Sequence, residues 1–382
     1  MAPGSNAKDY KPDDKTQKTI KYAAYGLYGL GVVFFIALCC LWKNIAIAIA
    51  VLKTASMIIM RNIRMLFMPW FGSFFVMLWS MAWITGFILL VSAGKITQPT
   101  LGSQYKQIEF NDEQKAFLWI QIFAFFWIME FLLALFQYAI IVGTCTWYFT
   151  STQDTRGNFS LCQGFLWGLK YNQGSLAFGS FLLAVVWTIR LILEIVDKQM
   201  KKVKDENALA RCVLNCTRCC LDCFHRFVKF INENAYIQVA LTGENFCTSA
   251  MQAFILALKN AASFFITNGI GAFIFFLGKA TIAIVNTAIG YVLISYVPDF
   301  EEDIDQPVPF LLLIFLMSYM MATTFMEVYG GVSLAILQCL YADVDICNQQ
   351  GRPALDNSNR PKEMNFIIGV LSDAKPRPGE KQ

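Results

Sequence analysis

The sequence predicts an all-α fold: a polytopic helical bundle embedded in a membrane. Three observations carry this. The 382 residues are 56% hydrophobic and only 15% charged, whereas soluble domains carry about 25% charged residues. The deficit is concentrated: Tyr22–Trp42 and Met65–Gly94 hold no charge, and 116–153 holds only Glu130. Apolar runs beyond ~18 residues are long enough to cross a bilayer as helices.

Taken in order, the apolar blocks are 22–42, 65–94, 116–150, 174–196, 265–297 and 308–342. They predict about six to seven spans within a membrane domain at 21–346. Polar tails at 1–20 and 347–382 flank it. The first 20 residues lack the cationic start and apolar core of a signal peptide, so the first span is expected to direct insertion.

The segment 43–64 alternates as IAIAIA, which reads like a strand. A lone strand would leave its backbone unpaired in lipid, so an interfacial amphipathic helix is expected there. Lys43, Lys53, Arg61 and Arg64 place it on the cytoplasmic side. The loop 298–306 (PDFEEDIDQ) has five carboxylates and no Lys or Arg, which fits the opposite side.

The segment 197–229 carries eight basic residues, Lys198, Lys201, Lys202, Lys204, Arg211, Arg218, Arg226 and Lys229, and should also be cytoplasmic. Counting forward from 43–64 puts it outside instead. The conflict predicts at least one re-entrant or broken segment, at 157–173 or at 232–258. Irregular backbone survives at membrane depth only when buried in protein or lining a watery cavity, and transporters build sites there.

Charges inside spans are the first functional candidates, because burying them unpaired is costly. Glu130, Lys279 and Glu327 stand out. Lys279 could pair with Glu130 or Glu327 and hold helices together. Alternatively, a Glu faces a cavity and neutralises a cationic substrate, or serves in snorkelling or proton transfer. Aromatic faces attract quaternary ammonium groups. Trp127, Glu130 and Gln137 fall near one helical face. Trp147 and Tyr148 read as interface anchors.

The run RCVLNCTRCCLDCFH sets Cys212, Cys216, Cys219, Cys220 and Cys223 before His225, the single histidine. Two CxxC pairs evoke zinc. Yet 212, 216, 219 and 223 form a helical stripe that rises ~16 Å, too long for one ion. No metal and no cofactor is expected; lipidation of these cysteines or inert packing fits better. There is no nucleotide loop, no HExxH and no GxSxG, so no enzyme and no nucleic-acid binding is expected.

The residues then match a family in order. Within FVKFINENAYIQVALTGENFCTSAMQAF (227–254) fall Phe227, Lys229, Asn232, Asn234, Tyr236, Gly243, Asn245 and Phe246. KNIAIAIAVLKTAS (43–56), FFWIMEFLLALFQ, YNQGSLAFGSFLLAVV (171–186), FLGK (276–279) and VYG (328–330) accompany them. Over roughly 20–364 the chain resembles the choline transporter-like proteins. The resemblance implies a transporter for choline or ethanolamine in a plasma or organellar membrane, mitochondrial included. It implies about ten spans in the family, with the match starting near the fourth. Glu130 and Glu327 stand where the family usually has neutral polar residues, and Leu334 where it has an acidic one.

Two functions follow as expectations. One is transport of choline or related small organic cations, with Trp127, Glu130, Gln137, Glu327 and Tyr329 contacting substrate. The other is a non-transporting structural or accessory subunit of a larger membrane complex. Membrane lipid is a partner in both; a small cation belongs to the first and other membrane subunits to the second. Asn234, Tyr236, Gly243 and Asn245 are expected to form a scaffold or gate, with Gly243 as the break.

Overall fold

The computed structural model describes residues 14–97, 107–150, 161–199, 208–296 and 306–351. The loop 298–305, the tail segments 1–13 and 352–382, and residues 200–207 of the basic segment lie outside them. The described residues form nine α-helices and one small hairpin. The helices are α1 (Asp14–Arg61), α2 (Met68–Ser92), α3 (Asp112–Phe149), α4 (Leu161–Lys170), α5 (Gln173–Gln199), α6 (Ala208–Thr242), α7 (Phe246–Lys259), α8 (Ala261–Tyr296) and α9 (Val308–Gln349).

Six segments among the described residues are long and apolar enough to cross a membrane: Asn44–Arg61, Ile63–Ser92, Asp112–Phe149, Gln173–Gln199, Ser263–Ser295 and Val308–Gln349. Five coincide with the expected blocks. The sixth, Asn44–Arg61, lies in 43–64 and continues α1 without a break to Arg61. IAIAIA is therefore helical, and Ile47, Val51, Ala55, Ile58 and Ile59 bury one stripe of it in the core.

α2 and α3 form an antiparallel hairpin. Pro69 opens α2, where its missing N–H costs nothing. Asn111 and Gln114 close a capping box on α3, with Asp112 and Glu113 complementing the helix dipole. Strands β1 (Lys95–Thr97) and β2 (Gln107–Glu109) pair Lys95 with Glu109 and Ile96 with Ile108 across the hairpin tip. Trp83 Nε1 donates to the Gln121 carbonyl at 2.9 Å, and Phe75 stacks on Phe136.

The core sits toward one end of the bundle. In α3 the buried residues run from Ala134 to Tyr148, while much of the preceding half is exposed. In α9 most of them run from Val328 to Cys347. Exposed apolar side chains on α2, α8 and the first half of α9 are what a lipid-facing surface requires, since lipid solvates them as well as protein does. Trp147 and Tyr148 correct the anchor expectation. They are 4% and 1% exposed, because α3 runs past this level into the densest packing and turns both rings inward.

α8 and α9 are antiparallel. Phe264 meets Tyr341, Gly278 faces Met326, and Gly290 faces Ile314. α5 and α6 are antiparallel as well, and their seam is polar. Arg218 pairs with Asp197 at 2.6 Å and Arg190 with Asp222 at 3.4 Å. Deeper in, Asn232 Nδ2 donates to the Gly179 carbonyl at 2.7 Å, and the Tyr236 hydroxyl donates to that of Leu176 at 3.3 Å. A Cβ at Gly179 would collide with Tyr236 and Phe246, so the close approach requires glycine.

Both candidate breaks hold short helices. α4, within 157–173, has ten residues and a length of ~15 Å, half of a ~30 Å hydrocarbon layer. Gly164 and Gly168 let it lie on α3 against Ala139 and Leu135. In 232–258 the chain turns at Gly243, with φ +72°. Asn245 then caps α7, its Oδ1 accepting from Thr248 N at 3.0 Å and from Thr248 Oγ1 at 2.9 Å.

The left-handed backbone at Gly243 sets a test, because a Cβ there would meet nothing within 4 Å. Gly243→Ala should therefore act through the backbone alone, destabilising the protein by about 1 kcal/mol. Gly243→Asn should cost less. Thermal unfolding in detergent compares the two; equal loss from both would remove the left-handed turn as the cause.

Candidate functional site

The site is built where α3, α5 and α6 meet. Glu130 lies one turn before the buried half of α3 and is itself half-buried. Trp187 on α5 donates its indole N–H to Glu130 Oε1 at 2.8 Å. The Trp187 ring stacks on Phe126 at 6.3 Å, meets His225 of α6 edge-on at 5.1 Å, and carries the Arg190 guanidinium 5.5 Å from its centroid. One turn of α3 away, Trp127 Nε1 donates to the Ala177 carbonyl at 3.0 Å. Its ring packs edge-on against Phe181 at 5.6 Å, with Phe123 alongside. The result is a carboxylate beside the Phe126–Trp187 cluster, with the Phe123–Trp127–Phe181 cluster one turn of α3 away, both contributed by facing helices.

The expected ion pair is not formed: among the described residues neither Glu130 nor Glu327 pairs with Lys279. Gly278 faces Met326, so Lys279 and Glu327 share a level of the α8–α9 hairpin. Glu327, however, is exposed. The cation near these acids is Lys229 on α6. It pairs with Glu233 at 3.8 Å, and its charge also acts on Glu130. Burial holds the Glu233 carboxyl above the ordinary carboxylate range; Lys229 pulls it back, and Glu327 of α9 pushes it up again. Lys229 and Glu233 thus lie electrostatically between Glu130 and Glu327. The i, i+4 spacing of opposite charges was the signal for Lys229.

Of the other expected contact residues, Gln137 and Tyr329 are half-buried, and no hydrogen bond joins either to Glu130. The gate or scaffold residues divide into two groups. Asn234 and Tyr236 are buried in the core, at 2% and 3% exposure. Gly243 and Asn245 form the break beyond. Asn234 Oδ1 accepts a short hydrogen bond from Gln338 Nε2 of α9. Gln338 is 1% exposed and its Oε1 has no partner. Sequence reasoning passed over Gln338, whose signal was an amide deep in an apolar run.

The five cysteines 212, 216, 219, 220 and 223 are all exposed and free. No group of His, Cys, Asp or Glu able to hold a metal occurs among the described residues.

A family model described as plasma-membrane choline transporter matches residues 25–345. Choline transporter-like protein 2 of Cavia porcellus is 30% identical over 375 residues, covering 88% of this chain and 53% of that protein. Choline transporter-like protein 2 of Homo sapiens is 34% identical over 239 residues, covering 60% and 34%. Choline transporter-like protein 1 of Rattus norvegicus is 28% identical over 312 residues, covering 82% and 46%. The chain spans about half the length of such relatives, or less.

The single histidine provides a pH test. Burial lowers the proton affinity of His225 below the ordinary value of 6.5, and Lys229 and Arg190 lower it further, against a smaller opposing effect of Asp222. The folded state then binds fewer protons than the unfolded state, so the stability from neutral His225 is present above 6.5 and lost as pH falls through its folded value. His225→Gln should remove that part of the acid destabilisation. Thermal unfolding of both proteins between about pH 7 and about pH 5 checks it; parallel profiles would contradict it.

Proposed function

The chain belongs to the plasma-membrane choline transporter family, and from that premise we propose that it carries choline or a related small organic cation across a membrane. One observation supports this reading above the others: Glu130 accepts a hydrogen bond from Trp187, whose ring stacks on Phe126, and the Phe123–Trp127–Phe181 cluster lies one turn of α3 away. A methylated ammonium cannot donate strong hydrogen bonds. It is held by charge neutralisation and by aromatic faces, each worth ~0.5–2 kcal/mol according to desolvation.

The hydrogen bond from Trp187 orients the carboxylate through Oε1 and leaves Oε2 to face the cation. The Arg190 guanidinium over the Trp187 ring supports the reading of this aromatic cluster as a surface for positive groups. Lys229 competes for the same acid, so substrate arrival would shift the balance between Glu130 and Glu233 on α6. The family and the six apolar segments make the chain an integral multi-pass membrane protein. Its relatives are named as transporters, in keeping with a non-enzymatic role.

Purified chain in proteoliposomes should take up radiolabelled choline above empty vesicles. Glu130→Gln should lower that uptake about tenfold, equivalent to ~1.4 kcal/mol. Trp187→Phe keeps the aromatic face but loses the orienting N–H, and should give an intermediate loss. Uptake by Glu130→Gln equal to that of the unaltered protein would sink the site. No uptake by the unaltered chain would overturn transport and leave an accessory role in a membrane complex.

A further inference from the structure

The cysteine run on α6 is not used by the site just described, and its placement is specific. Arg218, Asp222, His225, Asn232 and Tyr236 recur at helical spacing and all reach α5. Cys212, Cys216, Cys219, Cys220 and Cys223 fall on the arc turned away from α5, and every one is exposed. The same arc carries Val213, Phe224 and Phe227, which are 55%, 52% and 50% exposed. The exposed Arg226 borders this arc beside Cys219 and Cys223; no other charged side chain falls on it from 212 to 227. α6 thus presents one charged face to α5 and one face of thiols and apolar groups outward.

The depth of that face follows from the α5–α6 register. α5 is free of charge from 173 to 189 and then carries Arg190, Glu194, Asp197 and Lys198. The charge onset marks where a span leaves the hydrocarbon for the polar interface. Arg190 pairs with Asp222 and Asp197 with Arg218, so Cys219, Cys220 and Cys223 lie at that same boundary. A thiol at this depth is within reach of solution chemistry, while a chain attached to it would enter the bilayer beside α5.

We propose that α6 is S-acylated by long-chain fatty acids at this cysteine arc. The thiol sulfur attacks the carbonyl carbon of a fatty acyl-coenzyme A. The new carbon–sulfur bond replaces the bond to coenzyme A, which leaves as its thiol and takes the proton, so no oxidant or reductant is needed. Neighbouring thiols, Cys223 foremost, raise the proton affinity of Cys219, so an acyltransferase that activates the thiol is part of the proposal. The attached chain adds membrane affinity with every methylene it buries, which holds the outward face of α6 down on the lipid. That fixes the helix bearing His225, Lys229 and Glu233 against α5.

The test uses the full chain expressed in cells fed an alkyne-tagged fatty acid. The unaltered chain should be labelled, and neutral hydroxylamine, which cleaves thioesters, should remove the label. Replacing all five cysteines by serine should reduce labelling at least about tenfold, because each serine oxygen lacks thiol reactivity. Cys247→Ser, an exposed cysteine outside the arc, should label as the unaltered chain does. Monodisperse elution of the five-serine variant in detergent controls for folding. Intact mass of the unaltered chain, before and after hydroxylamine, supplies a readout independent of variants: it should fall by whole multiples of one acyl mass. An unlabelled chain of unchanged mass, or full labelling of the five-serine variant, would overturn the proposal.

Discussion

The structure depends on one constraint: a polar group drawn into an apolar bundle must find its partner inside the protein. At the α5–α6 seam the donors meet that constraint, while Asn232 Oδ1 has no partner. Asn232 satisfies a carbonyl of α5, Tyr236 reaches another, and only a glycine at 179 lets α6 come close enough. Leaving such a group unpaired would cost about 1–3 kcal/mol. The two ion pairs at the outer end, Arg218–Asp197 and Arg190–Asp222, are partly exposed and each contribute only on the order of 0.2–1 kcal/mol. Their role is register: they set which turn of α6 faces which turn of α5.

That register carries over to everything α6 touches. It places His225 against Trp187, and with it the indole that orients Glu130. It places Lys229 where its charge reaches Glu130 of α3 as well as Glu233 of its own helix. It turns Asn234 toward Gln338 on α9, which ties the seam into the core. The break at Gly243 then folds α7 back beside α6, where Gln238 donates to Gln252. One amphipathic helix, too polar to count as a span, is thus the common neighbour of α3, α5, α7 and α9.

How much of the site was legible depends on whether the signal was local. Glu130 was visible because a lone carboxylate in an apolar run is costly anywhere. Trp127 followed from its spacing to Glu130, and Gly243 from a glycine inside an otherwise continuous pattern. Trp187 was not singled out, since a tryptophan in a span is ordinary until an acid is found beside it. Lys279 was an appealing ion-pair partner by composition, yet proximity along a hairpin does not bring two side chains together. Gln338 was missed because a single amide is inexpensive on paper; its importance appears only when Asn234 is seen beside it.

The sequence by itself determined the fold class, five of the six candidate spans among the described residues, the helical state of 43–61, and the family through the 227–254 signature. These rest on hydropathy and on short-range order, which one chain segment carries alone. Tertiary structure decided which charges meet, which aromatic faces line Glu130, that Trp147 and Tyr148 turn inward, and which face of α6 points away from the bundle. Those outcomes depend on the rotation and register of helices against each other. Rotation and register are set by contacts between residues tens to hundreds of positions apart, and no local pattern records them.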